Sequence, residues 1–90
     1  MTIEMEQEAT QCAHHVLGYH HDPRGYQPGG FTTSLLDTWS RADHQNAARL
    51  ASAFPVLGAV INVLRDRGLD DVAIIINHPQ AFLLNNGFGH

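Results

Sequence analysis

Met5, Ala9, Cys12, Val16 and Tyr19 fall at i, i+4, i+7, i+11 and i+14, and Ala13 and Leu17 widen the same stripe. That spacing predicts an amphipathic helix over residues 3–18. Glu4, Glu6 and Glu8 crowd its first turns, where carboxylates complement the positive end of the helix dipole. Gly18 is the predicted stop. Residues 19–30 then bring Asp22, Pro23, Gly25, Pro28, Gly29 and Gly30, a density of breakers that predicts a loop. A second helix is expected from about Thr32 to Ala42, with Phe31, Leu35, Leu36, Trp39 and Ala42 facing inward and Thr32 or Thr33 as cap. Asp43 caps a third helix whose inner face is Ala47, Leu50, Ala51 and Phe54. Pro55 suits the first turn of a fourth, carrying Val56, Val60, Val63 and Leu64 inward and stopping at Gly68. One long helix kinked at Pro55 is the alternative; the break is preferred.

Beyond Gly68 the pattern changes. Val72-Ala73-Ile74-Ile75-Ile76 is a β-branched run of strand length, and Ala81-Phe82-Leu83-Leu84 is a second apolar run closed by Asn85-Asn86-Gly87. Two readings compete for the pair: a hairpin turning at His78-Pro79, or a short helix beginning at Pro79. In a strand, Ile74 and Ile76 point one way and Ile75 the other. Such an edge either packs on the helices or finds another chain. The expectation drawn from it is a twofold dimer or partner contact through Ile74, Ile75, Ile76 and Phe82. The fold expected is mainly α, a single domain over residues 1–90. Three to four helices over about 3–67 pack around Val16, Leu35, Trp39, Leu50, Phe54, Val60 and Leu64, and the apolar segment 72–84 forms a short β or irregular tail.

Ninety residues allow one core, and 43% apolar residues are enough to build it. The net charge of −4 sets nine acids against five bases, and all five bases are arginine. The absence of lysine excludes a Schiff-base lysine and a phosphate-loop lysine. Without a polybasic run, neither DNA nor an anionic membrane surface is an expected partner. Two helices joined by a short turn keep a helix-turn-helix regulator, with Arg41, Arg49, Arg65 and Arg67 on one face, as the alternative function. A single cysteine permits no intrachain disulfide. The acidic start does not resemble a signal peptide, and no apolar run approaches the ~20 residues that span a bilayer. A bacterial cytoplasm is the expected location.

Candidate chemistry is sparse. Four of the seven histidines cluster at His14, His15, His20 and His21, and Cys12 with His15 and His20 or His21 would offer zinc a thiolate and imidazoles. The spacing matches no recognised ligand pairing, so no metal or other cofactor is expected and the metal reading stays an alternative. The Pro28-Gly29-Gly30 turn ahead of a helix could present backbone amides to an anion, with Arg24 assisting. Asp37, Asp43 and His44 are the only acid–base groups close together in the helical block. Asp37 is expected on an outward face and Asp43 in a cap, so no catalytic residue is assigned and an enzyme is not expected.

The stretch Gly25-Tyr26-Gln27-Pro28-Gly29-Gly30-Phe31-Thr32, followed by Leu35-Leu36, Arg41-Ala42-Asp43, Asn46, Arg49-Leu50-Ala51 and Phe54-Pro55, resembles a group of short proteins of actinobacterial bacteriophages. In that group a G-x-Q-P-G-x-F-T turn precedes an A-D…N…R-L…F-P helix. The resemblance covers roughly residues 16–64 and leaves both ends uncovered. It implies a small accessory phage protein that binds a host or phage protein without catalysing, made in the bacterial host's cytoplasm.

Overall fold

The computed structural model describes residues 2–88, which form six helices and, among the described residues, no strand. Helix α1 spans Ile3–Tyr19, α2 Gly30–Ser40, α3 His44–Ala53, α4 Pro55–Arg67, α5 Leu69–Asn77 and α6 Pro79–Asn85. Helix α1 is the central element and packs on α2, α4, α5 and α6, while α3 leans on α2 and α4. Its buried side, Ala9, Ala13, Val16 and Leu17, is the stripe read from the sequence. The Thr2 hydroxyl caps it by accepting from the Met5 amide at 3.1 Å.

Gly18 does not end α1. The helix continues through Tyr19, and the chain leaves it by a paired closure in which the His21 amide donates to the Gly18 carbonyl and the Asp22 amide to the Leu17 carbonyl. His21 takes the left-handed conformation this closure requires, at φ 61°. Gly18 has a different reason to be glycine: a Cβ there would lie 1.8 Å from the Tyr26 carbonyl oxygen. The loop at 20–29 therefore lies backbone-on-backbone against the last turns of α1. The Tyr26 amide donates to the His14 carbonyl, and the Gln27 side-chain amide donates to the Gly18 carbonyl.

Helices α2 to α4 follow the expected order with three adjustments. Helix α2 begins at Gly30 with Gly29 as N-cap, so neither Thr32 nor Thr33 caps it, and Thr33 instead donates its hydroxyl to the Pro28 carbonyl. Phe31, expected inward, is 72% exposed, its ring tilted against that of Phe54 with centroids 6.3 Å apart. Leu36 and Trp39 carry the buried face of α2. Asp43 caps α3 by accepting from the Asn46 amide at 2.8 Å, and the chain breaks at Phe54 so that Pro55 opens α4. Helix α3 buries no residue fully, and Ala47, Leu50, Ala51 and Phe54 are only half-covered. It is an outer wall.

The tail is where strand propensity is overruled. Residues 72–76 lie within α5 and 79–85 form α6, so the strand and hairpin readings are incorrect and the helix beginning at Pro79 is the one observed. The cause is tertiary. Gly68, at φ 95°, turns the chain sharply back, Asp70 and Asp71 occupy the first turn of α5, and Val72 and Ile75 bury themselves in the core beside α1. Burial on one helical face outweighs the modest helix-propensity deficit of β-branched residues. Phe82 and Leu83 of α6 complete the same core. Helix α6 closes like α1, the Gly87 amide donating to the Leu84 carbonyl and the Phe88 amide to the Leu83 carbonyl.

Candidate functional site

The contact residues assigned to the tail are split by this geometry. Ile75 and Phe82 are 3% and 7% exposed and belong to the core, Ile76 is half-buried, and Ile74 alone faces solvent. Among the described residues no strand edge remains to pair, so the strand-pairing argument for a dimer through residues 74–76 does not apply.

The histidine cluster is dispersed by its structural duties. His14 stacks on the Tyr26 ring at 4.9 Å and His15 meets the same ring edge-on at 5.2 Å. His20 meets Tyr19 edge-on, and His21 holds the turn. Burial, with His14 alongside, pushes the His15 imidazole below its ordinary range. Cys12 is half-buried in the α1 stripe; burial and then the nearby Glu8 push its thiol up to about 12. A thiol held so firmly protonated is neither a ready metal ligand nor a nucleophile at neutral pH. Among the described residues no three His, Cys, Asp or Glu groups come together as a metal site.

The proposed anion turn also loses its cation. Arg24 forks onto Asp22, with contacts of 2.9 and 2.7 Å, and reaches Asp70 at 2.9 Å. Hydrogen bonds from Arg24 lower the Asp22 carboxyl to about 2. The guanidinium thus fastens the loop to α5, and a Cβ on Gly29 or Gly30 would meet open space.

The site that sequence reasoning missed lies between α1, α2, α3 and α4. A cleft of about 390 Å³ has Val16, Leu36, Trp39, Ala47, Ile61 and Leu64 as its apolar walls. Tyr19, His20, Ser40, Asp43, His44 and Arg65 line the polar remainder. Its volume is within the roughly 300–1,000 Å³ of clefts that hold organic ligands or anchoring side chains. Ala47 is a small side chain on the α3 wall, where a larger residue would fill the cleft. Val16, Leu36, Trp39, Ala47 and Leu64 were each visible as part of an apolar stripe, but no periodicity distinguishes a stripe that meets its neighbour from one that leaves a gap.

Of the acid–base groups named from the sequence, Asp43 and His44 line this cleft and Asp37 is bonded to its Tyr19. Asp43 is occupied as the α3 cap. Asp37, expected to face outward, is half-buried and accepts the Tyr19 hydroxyl at 2.5 Å. That hydrogen bond, with burial adding to it, raises the Tyr19 phenol above its ordinary range.

No protein-family model, curated protein or solved structure matches this chain. The reading of the cleft therefore rests on its own geometry. Arg24, Arg65 and Arg67 each stand within 4 Å of a carboxylate, while Arg41 and Arg49 border one shallow hollow together. No helix of the described residues is long and apolar enough to cross a membrane.

Proposed function

We propose that the protein is a non-catalytic binding module that captures an apolar side chain of another protein in the α1–α4 cleft. The observation that carries this is the cleft's apolar lining, contributed by four helices and accompanied by polar side chains, the composition of a hot-spot pocket. The engagement of Asp37 with Tyr19 and of Asp43 in a cap supports binding over catalysis. The resemblance to actinobacteriophage accessory proteins supports a host or phage protein as the partner.

Affinity capture from a bacterial lysate tests the reading when the wild type is compared with Ala47→Leu, whose larger side chain fills the cleft. A protein retained by the wild type and lost with Ala47→Leu is the expected result. Capture that is unchanged by filling the cleft contradicts it, and nucleic acid retained in its place in a salt-sensitive manner favours the regulator reading.

A further inference from the structure

Of the chain's five arginines, Arg24, Arg65 and Arg67 each have a carboxylate within 4 Å. Among the described residues Arg41 and Arg49 have none, and the fold brings these two to one place. The turn at 41–43 sets α3 beside α2. Arg41, at the C-cap of α2, and Arg49, in the second turn of α3, then border one shallow hollow of about 450 Å³. Thr38, Ala42, Asn46 and Leu50 complete its lining, and no acid is among them.

The acids that adjoin the lining residues in the chain are Asp37 and Asp43. They accept from the Tyr19 hydroxyl and the Asn46 amide, and neither stands within 4 Å of Arg41 or Arg49. A cation at the end of α2 complements the negative end of the helix dipole, which is a structural reason for Arg41. Arg49 has no such reason, since it is exposed in the middle of α3. Its Nη1 donates to the Asn46 Oδ1 at 3.0 Å, which fixes the guanidinium beside Asn46 and leaves most of its five donors unused.

From this pair of cations we infer that the α2–α3 hollow binds a small phosphate monoester. Its phosphoryl group is held between the Arg41 and Arg49 guanidiniums, and its carbon body lies over Ala42 and Leu50. Each guanidinium offers two parallel donors, and the two oxygens of a carboxylate satisfy only one such fork. A phosphoryl group presents three acceptor oxygens and close to two negative charges at neutral pH, enough for both. The volume is within the roughly 300–1,000 Å³ of small-molecule sites. A nucleic acid fits less well, because its further phosphates would meet a chain of net charge −4 whose other arginines stand beside acids. The hollow shares only Ala42 with the lining of the α1–α4 cleft, so the inference does not depend on the docking reading.

Titration of the full chain with phenyl phosphate at low salt, followed by the amide and arginine Nε–H resonances in 1H–15N NMR spectra, tests it. Saturable shifts are expected at Arg41, Asn46 and Arg49. Arg41→Gln and Arg49→Gln should each bind about tenfold more weakly, and benzoate should bind the wild type more weakly by a similar factor. Both substitutions fall at exposed positions, and unchanged melting temperatures would show that the fold survives them. Arg67→Gln, which removes the partner of Asp71, should leave the affinity unchanged. No saturable shift at millimolar phenyl phosphate, equal affinity in Arg41→Gln or Arg49→Gln, or benzoate bound as tightly as the phosphate overturns the inference. A 12-nucleotide single strand of DNA is the remaining arm. If it shifts the same resonances at lower concentration than phenyl phosphate, the hollow belongs to nucleic acid and the small-molecule assignment is overturned.

Discussion

The Tyr19 hydroxyl, in the last turn of α1, donates to the Asp37 carboxylate on α2 at 2.5 Å. The two residues are 18 apart in sequence, and the loop between them lies flat on α1. This bond joins two of the helices that frame the cleft.

Tyr19→Phe should lower stability by about 1–2 kcal/mol at pH 7, the low end for a hydrogen bond to a charged group because both side chains are partly exposed. The phenol's folded pKa is raised above its unfolded value near 10. The bond's contribution is therefore complete below about pH 10 and is lost as pH rises through the folded value. Urea unfolding followed by Trp39 fluorescence should show the wild-type advantage at pH 7 and a smaller one above pH 10. An advantage that grows with pH would contradict the assignment.

Gly18→Ala should be among the most damaging single-methyl changes, because its Cβ would fall 1.8 Å from the Tyr26 carbonyl oxygen and the loop would have to lift off α1. A cost on the order of 3 kcal/mol follows from overpacking against backbone that cannot move aside alone. Gly29→Ala is the control, since nothing lies within 4 Å of its Cβ and its φ is −69°. Thermal unfolding should separate the two variants by well over 5 °C. Equal melting temperatures would show that the loop does not dock as described.

A lysine at Ile75 and one at Ile74 should behave oppositely. Ile75 is 3% exposed against α1, so Ile75→Lys should cost more than the ~2–5 kcal/mol of a truncation to alanine and remove the cooperative transition. Ile74 is 55% exposed, so Ile74→Lys should leave the melting temperature within about 2 °C. Sedimentation of Ile74→Lys beside the wild type then reports whether the exposed part of α5 mediates any self-association. A folded Ile75→Lys would mean that α5 is not packed as the core requires.

The Cys12 thiol should resist a disulfide reagent at pH 8 until the protein unfolds, since burial lifts it to about 12 from an unfolded value near 8.5. A group raised on folding contributes stability that is complete below the unfolded pKa and lost as pH climbs through the folded one. Stability should therefore decline between about pH 8.5 and 12, and Cys12→Ala should flatten that decline. Rapid labelling under native conditions would place Cys12 outside the α1 core.

The helical character of the chain and the first four helices are legible in the sequence because each has a periodic apolar face and a local punctuation mark. Asp43, Pro55 and Gly68 act within a few residues of themselves, and no distant partner is needed for a side chain to cap an amide or a glycine to turn the chain. Residues 72–76 are different. Val72, Ala73 and three isoleucines carry a local preference for strand, and only the face that α1 offers to Val72 and Ile75 makes the helix the better burial. Gly18 looked like a stop because its reason for being glycine, the Tyr26 carbonyl, lies eight residues on and reaches it only when the loop folds back. The cleft depends still more on the tertiary structure. Val16, Trp39, Ala47 and Leu64 each signal an inward face, but a gap is a property of how far apart four helices stand, and that distance is set by packing across the whole domain.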